Sequence, residues 1–368
     1  MRVLITGVDG FIGKNLRVRL QERTDCSLTP LGRADFQAGL RRAMVDADVI
    51  VHLAGENRPE DESGFTIGNV GTTEQLIDEV KRQSREIPIL YASSRQAELD
   101  NPYGRSKRDA ELLLQQFSIQ TEAPVVIYRL PGVFGKWCRP RYNSVVATFC
   151  HEVARGAEPA VFGGERELSL VYVDDVIDEV ISTITAFPRG CVFRDVHPEY
   201  QITVAELLTR IKSFRSCRQD LLVEKVGDGL TRALYATFVS YLPKENFSYS
   251  LPAYSDPRGT FVEMLKTQDS GQLSFFTAHP GVTRGGHYHH SKTEKFLVIR
   301  GRARFRFRHI LTNETHEFDT SGDKSEVVDT IPGWAHDITN IGQDELIVML
   351  WANENFDRSR PDTVAARV

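Results

Sequence analysis

The sequence predicts an α/β domain built on a doubly wound parallel sheet, followed by an all-β barrel domain. Two observations support this division. Near the N-terminus, a short apolar run leads at once into spaced glycines and then into apolar positions at helical spacing. From about residue 273 onward, β-favouring runs recur with Gly, Pro and Asn between them. The 368 residues are sufficient for two domains.

Composition excludes several classes of protein. The formal net charge of −5 argues against a nucleic-acid-binding surface. No apolar stretch is long enough to cross a membrane, and the first residues do not resemble a signal peptide. The five cysteines show no paired spacing, which is typical of free thiols in a reducing compartment. We therefore expect a cytoplasmic protein with no nucleic-acid or membrane partner.

The first motif is a glycine-rich turn. Residues 2–5 predict a buried strand, and residues 14–20 have the apolar spacing of a helix. A strand, three glycines at intervals of three and a helix form the dinucleotide fingerprint of a Rossmann-type fold. In that context, backbone N–H groups can approach a pyrophosphate at the helix N-terminus. The residues assigned to the cofactor here are Gly7, Gly10, Phe11, Ile12 and Gly13.

The next two strands bear on the choice of cofactor. The second strand is predicted at 27–31, and Arg33 follows it where an NAD-specific fold usually offers an acid. Arginine favours a 2′-phosphate, so we expect NADPH, although Asp35 keeps NAD possible. Residues 48–55 predict another buried strand ending in a tight turn. Its last residues, Leu53, Ala54 and Gly55, are expected beside the cofactor.

A strand ending at Ser94 precedes a helix that carries Tyr103 and Lys107. A spacing of four residues places the phenol and the ammonium on one helix face. A lysine there can lower the pKa of a nearby tyrosine, which a proton-exchanging phenol needs near neutral pH. Ser94 can donate a hydrogen bond to the same substrate oxygen. The three residues form a candidate catalytic set.

These motifs resemble the extended short-chain dehydrogenase/reductase family over about the first 240 residues. The resemblance implies proton transfer by Ser94, Tyr103 and Lys107, hydride transfer by a nicotinamide and a nucleotide-sugar substrate. The sequence departs from the family at Gly132, where an asparagine is common. Asn143 and Arg166 are candidates for contacts with the uracil or the diphosphate, since the guanidinium fork of arginine can bond two oxygens at once.

The join between the domains is predicted near residue 243, where Pro and polar residues interrupt the pattern. The expected domains are 1–243 and 244–368, and the predicted helices at 204–214 and 229–241 would complete the first. Strands of the second are predicted at 273–277, 295–299, 303–309, 315–319 and 346–351.

The second domain contains a set of metal-ligating residue types. His287 and His289 are two apart, so in a strand they share one face. Glu294 follows five residues later, and His336 lies in a second, distant motif. Three imidazoles and a carboxylate suit zinc, iron or manganese. The spacing resembles the two motifs of the cupin superfamily, which implies a small antiparallel β-barrel with a metal ion, expected to be Zn²⁺ or another divalent metal.

Two segments, 255–261 and 284–289, also resemble the sugar-nucleotide 3,5-epimerases of rhamnose synthesis. Those enzymes use a histidine at the position of His287 as a base and need no metal. The additional ligand-type residues of this chain leave open whether His287 is a base or a ligand. His290 is expected on the opposite face of the strand from His289.

Four further segments, 101–104, 134–138, 142–145 and 294–298, extend the resemblance to nearly the whole chain. With both halves in this order, the chain resembles the bifunctional enzymes of L-fucosamine synthesis for bacterial capsule and O-antigen. The resemblance implies C3 epimerisation of a UDP-linked 2-acetamido-2,6-dideoxy-4-hexulose by the cupin domain. Reduction of the C4 ketone with NADPH by the first domain would follow. It also implies zinc and a homodimer. Two alternatives remain open: a single-activity reductase with the cupin as a dimerisation module, and a regulatory module that senses NADP.

Overall fold

The computed structural model describes residues 1–83, 85–251, 253–256, 259–262, 265–267, 271–354 and 359–368, some of them in 253–274 by backbone alone. By spatial proximity the chain divides into two compact units. The first comprises Met1–Ser144 and Leu168–Gln201, and the second comprises Val145–Glu167 and Ile202–Val368.

The helices and strands follow one another along the chain with short connections. The helices are α1 (Phe11–Gln21), α2 (Phe36–Met44), α3 (Ser63–Phe65), α4 (Thr72–Arg82), α5 (Pro102–Thr121), α6 (Val145–Ala154), α7 (Val173–Thr185), α8 (Val204–Asp220) and α9 (Gly229–Val239). A π-helical segment spans Thr66–Gly71, and 3-10 turns span Arg95–Glu98 and Lys244–Asn246.

The strands fall into an earlier and a later group. The earlier strands are β1 (Arg2–Thr6), β2 (Ser27–Leu31), β3 (Val49–His52), β4 (Ile89–Ser94), β5 (Val125–Leu130), β6 (Gly132–Phe134), β7 (Glu167–Tyr172), β8 (Cys191–Arg194), β9 (Glu199–Thr203) and β10 (Leu222–Val223). The later strands are β11 (Ser248–Ser250), β12 (Ala253–Asp256), β13 (Gly259–Val262), β14 (Lys266–Thr267), β15 (Gln272–Ala278), β16 (Thr283–Tyr288), β17 (Glu294–Arg300), β18 (Arg302–His309), β19 (Thr315–Ser321), β20 (Glu326–Asp329), β21 (Trp334–Asn340), β22 (Leu346–Ala352) and β23 (Val364–Ala365).

The first unit is organised around a six-stranded parallel sheet in the order β2–β1–β3–β4–β5–β8. Thr6, the last residue of β1, lies opposite Leu31 of β2 and His52 of β3. The carboxyl ends of these three strands therefore meet at one edge, where open α/β sheets bind their ligands. The predicted parallel sheet is confirmed.

Side chains on both faces of this sheet are buried. Leu4, Ile50 and Ile127 belong to a core that also contains the apolar faces of α2, α4 and α5. The alternate residues, such as Ile5 and Val51, are buried as well. Burial on both faces explains why the strands are continuous apolar runs rather than alternating patterns. A smaller sheet, in the order β6–β7–β9, adds to this fold.

The second unit contains two five-stranded antiparallel sheets. Their orders are β11–β20–β17–β22–β15 and β19–β18–β21–β16–β23. Each of the five strand segments predicted for this part of the chain is present with slightly longer bounds. These strands were predictable because buried and partly exposed residues alternate along them. In β18, Phe305 and Phe307 are buried, while Arg304, Arg306 and Arg308 are only partly buried.

Helices α8 and α9 were expected in the first domain, but with α6 they are grouped with the second unit. Their apolar faces contact each other, with the rings of Phe214 and Tyr235 5.3 Å apart. Arg218 of α8 also pairs with Asp329 of β20 at 3.1 Å. These contacts join distant parts of the chain, which local patterns do not report. The domain boundary near residue 243 stays a prediction.

Among the described residues, no helix combines the length and apolarity needed to cross a membrane.

Candidate functional site

The glycine turn lies between β1 and α1, at the carboxyl edge of the parallel sheet. Gly7 has φ of 69°, and its N–H donates to the Leu31 carbonyl at 2.9 Å. A Cβ on Gly7 would lie 2.7 Å from the Ala54 nitrogen, and one on Gly13 would overlap the Gly7 carbonyl. Only glycine fits this close approach of backbone segments.

Helix α1 begins at Phe11 and Ile12, after Gly10. Gly10 provides no side-chain cap, and the described first turn of α1 contains no acidic residue. The first turn of α1 therefore supplies no carboxylate of its own against the N–H groups that an anion would bind, and Asp9 lies in the turn before it. The turn predicted from the sequence has the form that a pyrophosphate site requires.

The turn after β3 lies against the same site. The Leu53 and Ala54 N–H groups donate to the carbonyl and the hydroxyl of Thr6, each at 3.2 Å. A Cβ on Gly55 would lie 2.7 Å from the Asn69 amide oxygen. The buried Asn69 bonds both the N–H and the carbonyl of Glu56 at 2.9 Å. Asn69 therefore fixes the backbone that the sequence places beside the cofactor.

Arg33 follows β2, as expected, and its guanidinium pairs with the Glu56 carboxylate at 2.7 Å. These residues follow strands on either side of β1, which leads into the glycine turn. Glu56 also accepts from the Arg58 N–H at 3.0 Å. Asp35 is the residue before α2 and makes no side-chain cap there. The sequence analysis did not identify Glu56, since a lone acid after a tight turn has no distinguishing pattern.

Ser94, Tyr103 and Lys107 are positioned by the end of β4 and the first turns of α5. Asn101 caps α5 by accepting from the Gly104 N–H at 2.8 Å, which places Tyr103 and Lys107 within its first two turns. The Ser94 hydroxyl accepts from the Gln96 N–H at 3.2 Å, and its hydrogen bonding acts to lower the pKa of Tyr103. The Lys107 ammonium donates to the Ala92 carbonyl at 2.7 Å. All three predicted catalytic residues are thus held at one sheet edge.

Burial dominates the electrostatics of this set. It raises the pKa of Tyr103, and the Ser94 hydrogen bond lowers that pKa by less. Burial also lowers the pKa of Lys107 to about 7, against an opposing effect of Glu111. We expected Lys107 to lower the pKa of Tyr103, but here burial outweighs any such effect. The phenol stays protonated at neutral pH, which is the form that a proton donor requires.

Gly132, which stands where relatives of the short-chain dehydrogenases often have asparagine, is exposed at the start of β6. Two residues beyond β6, the buried Lys136 donates to Asp174 at 2.7 Å. The sequence analysis did not single out Lys136, because nothing in its local pattern indicates that a lysine is buried.

Asn143 and Arg166 are both exposed. Asn143 lies in the first unit and Arg166 in the second. Their assignment to a nucleotide-sugar substrate therefore stays a prediction.

The four residues predicted to bind a metal converge within the second unit. His287 lies in β16, and His289 follows that strand directly. Glu294 begins β17, and His336 lies in β21 opposite His287 in register. One potential ligand atom from each residue lies within 4.8 Å of all the others. His290 is not part of this group; it follows His289 beyond the end of β16, so the expected strand alternation does not apply to the pair.

The cluster is compact and largely buried. His289 Nε2 lies 3.2 Å from a Glu294 carboxylate oxygen, and His336 Nε2 lies 3.6 Å from the same oxygen. The His287 ring centroid is 4.7 Å from that of His336 and 4.9 Å from that of His289. His287 is the most exposed of the four, so the site opens on its side.

The donor set fits a divalent cation. Both ring nitrogens of the buried His336 lack a hydrogen-bond partner among the described residues, which is costly for a group that binds nothing. Burial, with the neighbouring His336 and His289, lowers the pKa of His287 to about 4, so its ring is neutral at physiological pH. Burial alone would raise the pKa of Glu294, but His289 and His336 hold it well below its ordinary value. Neutral imidazoles and an ionised carboxylate are the forms that bind zinc.

The segment 255–261, which resembles the 3,5-epimerases, includes Pro257 and Arg258, which lie outside the described residues. Asp362, by contrast, was not predicted, yet its backbone carbonyl lies 2.5 Å from His289 Nδ1. Because Asp362 is 73 positions from His289, the local sequence pattern does not indicate this contact.

Two protein-family models match the chain. Residues 3–193 match the NAD dependent epimerase/dehydratase family. Residues 254–364 match the polysaccharide biosynthesis C-terminal domain. The first match includes the glycine turn and the Ser94, Tyr103 and Lys107 set, and the second includes the histidine and glutamate cluster.

Relatives extend the comparison to the whole chain. The chain is 54% identical over 368 residues to UDP-2-acetamido-2,6-beta-L-arabino-hexul-4-ose reductase of Pseudomonas aeruginosa, covering all of this chain and 99% of that protein. The crystal structure of the capsular polysaccharide assembling protein CapF from Staphylococcus aureus matches with a TM-score of 0.68 and 40% identity, with both chains covered completely.

A more distant structure supports the fold alone. UDP-glucuronic acid 4-epimerase from Bacillus cereus in complex with NAD has a TM-score of 0.53 and 18% identity, covering 58% of this chain and 82% of that one. The chain thus belongs to the NAD dependent epimerase/dehydratase family, among homologues of CapF that carry a polysaccharide biosynthesis C-terminal domain.

Proposed function

We propose that this protein is a bifunctional nucleotide-sugar enzyme of L-fucosamine synthesis for capsule or O-antigen. Its C-terminal part epimerises C3 of a UDP-linked 2-acetamido-2,6-dideoxy-4-hexulose, and its N-terminal part reduces the C4 ketone. The main support is the Ser94, Tyr103 and Lys107 set beside the glycine turn, in a chain 54% identical over its whole length to a nucleotide-sugar 4-ketone reductase.

The cofactor we assign is NADPH. The glycine turn forms a cradle from Gly7, Gly13 and the N–H groups at the start of α1, and a Cβ at either glycine would fill it. Arg33 follows β2, at the position where this fold binds the 2′-phosphate of NADPH. When bound, NADPH supplies the hydride for C4. The remaining chemistry belongs to side chains of this protein.

In the reduction, the Tyr103 phenol donates its proton to the C4 oxygen. Its raised pKa keeps that proton in place until negative charge develops on the substrate. The Ser94 hydroxyl, whose hydrogen bonding lowers the pKa of the phenol, orients the same oxygen. The Lys107 ammonium, when protonated, stabilises the phenolate that remains after transfer.

For the C-terminal part we propose a cupin barrel with a Zn²⁺ ion or another divalent metal held by His287, His289, Glu294 and His336. The support is the convergence of the four ligand-type side chains and the unpartnered nitrogens of His336. A bound metal would supply a Lewis acid for the keto oxygen of the substrate. The C4 ketone acidifies the neighbouring C3–H, so epimerisation must precede reduction.

The remaining assignments are part of the same proposal. The domains are 1–243 and 244–368, Asn143 and Arg166 contact the nucleotide part of the substrate, and the protein is a cytoplasmic homodimer. Sequence similarity along the whole chain to CapF and to the Pseudomonas reductase supports them.

One experiment tests the division of labour. The protein is incubated in D₂O without NADPH with a UDP-linked 2-acetamido-2,6-dideoxy-4-hexulose, and deuterium at C3 is measured. We expect uptake that stops after chelation. The His336→Ala variant should behave like the chelated protein, while Tyr103→Phe should exchange at the parent rate.

A second candidate, a single-activity 4-ketone reductase, is favoured by the name of the Pseudomonas relative, which mentions reduction alone. In that case the enzyme would oxidise NADPH in the presence of this sugar, and no deuterium would appear at C3. Absence of both exchange and NADPH consumption with this sugar would contradict both candidates and favour a cofactor-sensing module.

A further inference from the structure

Asp362, near the C-terminal end of the sequence, contacts the loop that carries the second metal-ligating histidine. Its carboxylate accepts from three successive backbone N–H groups, those of His290, Ser291 and Lys292, at 2.8, 2.8 and 2.7 Å. It also accepts from the Ser291 hydroxyl at 3.0 Å. Three converging N–H groups bind an anion far better than a neutral acceptor.

The backbone of the same residue contacts His289. Its carbonyl oxygen lies 2.5 Å from His289 Nδ1. Because a carbonyl can only accept, Nδ1 must carry the hydrogen. The other nitrogen, Nε2, lies 3.2 Å from the Glu294 carboxylate and is then the nitrogen available to bind a metal. Asp362 thereby selects the tautomer that a metal ligand needs.

A third contact connects this arrangement to helix α9. The Arg232 guanidinium donates to the Ser291 hydroxyl, which in turn donates to Asp362. The same guanidinium pairs with Glu354 at 3.0 Å. Ser291 is therefore hydrogen-bonded both to Arg232 and to Asp362, and these two contacts fix the loop.

We propose that Asp362 is a positioning residue of the metal centre: its carboxylate shapes the loop 290–292, and its carbonyl orients His289. The segment 359–368 is then required for tight metal binding although it supplies no ligand. This inference rests on the proposed metal centre. It adds a determinant that lies 68 residues beyond Glu294, outside both histidine motifs.

The test is metal binding by the full chain. Metal-free parent, Asp362→Asn and Asp362→Ala are titrated with Zn²⁺ against a competing chelator, and with Co²⁺ by visible absorption. Asp323→Asn, a change at an exposed acid in a turn, is the matched control. We expect Zn²⁺ affinity to fall about 10- to 100-fold in Asp362→Ala, as for other groups that orient metal ligands. Asp362→Asn should lose less Zn²⁺ affinity than Asp362→Ala and should shift the Co²⁺ absorption bands. The reason is that asparagine keeps the shape of the side chain but not its negative charge.

Three results would each mean something different. Unchanged affinity and Co²⁺ spectrum in both Asp362 variants, with binding lost in His336→Ala, would overturn the role of Asp362 and leave the metal centre intact. Equal, negligible binding by the parent and His336→Ala would overturn the metal centre itself. If Asp362→Ala fails to fold, Asp362→Asn decides the question, since its Co²⁺ spectrum reports on the geometry of the metal ligands that the loop positions.

Discussion

Lys107 offers a quantitative test of the reductase site, because its burial affects both activity and stability. Its ammonium donates to the Ala92 carbonyl at 2.7 Å and lies 4.3 Å from the centre of the Tyr91 ring. Burial lowers its pKa from 10.5 to about 7. The substitution Lys107→Met keeps most of the side-chain volume and removes the titrating group.

The direction of the stability change follows from proton linkage. Between pH 7 and 10.5 the unfolded chain binds more protons at Lys107 than the folded one, so this residue makes the unfolding free energy rise with pH. At pH 8 the cost of keeping Lys107 in the folded state is about 3 kcal/mol. Replacing Lys107 by Met removes this cost. The hydrogen bond to the Ala92 carbonyl is lost as well, which offsets about 1 kcal/mol of the gain in stability. We expect Lys107→Met to be about 2 kcal/mol more stable than the parent at pH 8.

The same variant should lose activity. Without the ammonium, the phenolate left by Tyr103 is not stabilised, and NADPH oxidation should fall about 100-fold or more. Stability and activity would therefore change in opposite directions, as expected for a catalytic group that is buried at a cost to stability.

Urea unfolding at pH 8, 9 and 10 measures the effect, using the transition that NADPH shifts to higher urea. Lys81→Met, a change at an exposed lysine of α4, is the control and should show no pH-dependent difference. The advantage of Lys107→Met should shrink steadily toward pH 10. A difference that is constant across this range would mean that Lys107 is not desolvated, and the reasoning would fail.

Three further predictions concern single side chains. Tyr103→Phe should lower NADPH oxidation by about 10²- to 10⁴-fold, measured at 340 nm, while C3 deuterium exchange persists; loss of exchange as well would mean that the two activities share one site. His336→Ala should lose its metal by elemental analysis, and full metal content would remove His336 from the ligand set. Glu56→Gln should tighten NADPH about fivefold in fluorescence titrations, since an anion beside Arg33 repels a 2′-phosphate by about 1 kcal/mol. NADH affinity should stay constant, and an equal change for both cofactors would contradict this account.

The parts of the molecule that were predictable have short-range causes. The glycines at 7, 10 and 13 are needed where backbone segments approach closely, and the helix after them has its own apolar period. The spacing of Tyr103 and Lys107 follows from one helical turn, and His287 and His289 stand two positions apart at the end of β16. Such relations depend on residues only a few positions apart, so the sequence alone determined them.

The tertiary structure decided the relations that span long separations. It brings His336 to Glu294 and Asp362 to His289, and it joins Arg33 to Glu56 across the strand between them. Strand pairing and burial create these contacts, and the local sequence pattern does not indicate them.

The same distinction explains the placement of α8 and α9. Their amphipathic pattern shows that each has a face to bury, but it does not identify the partner. Contacts with each other and with β20 group them with the second unit. The sequence by itself determined the helices, strands and motifs whose patterns are local, among them the glycine turn and the five strands predicted for the second half of the chain. Tertiary structure decided which buried charges and donors meet, because their pKa values and partners depend on packing between segments distant in the chain.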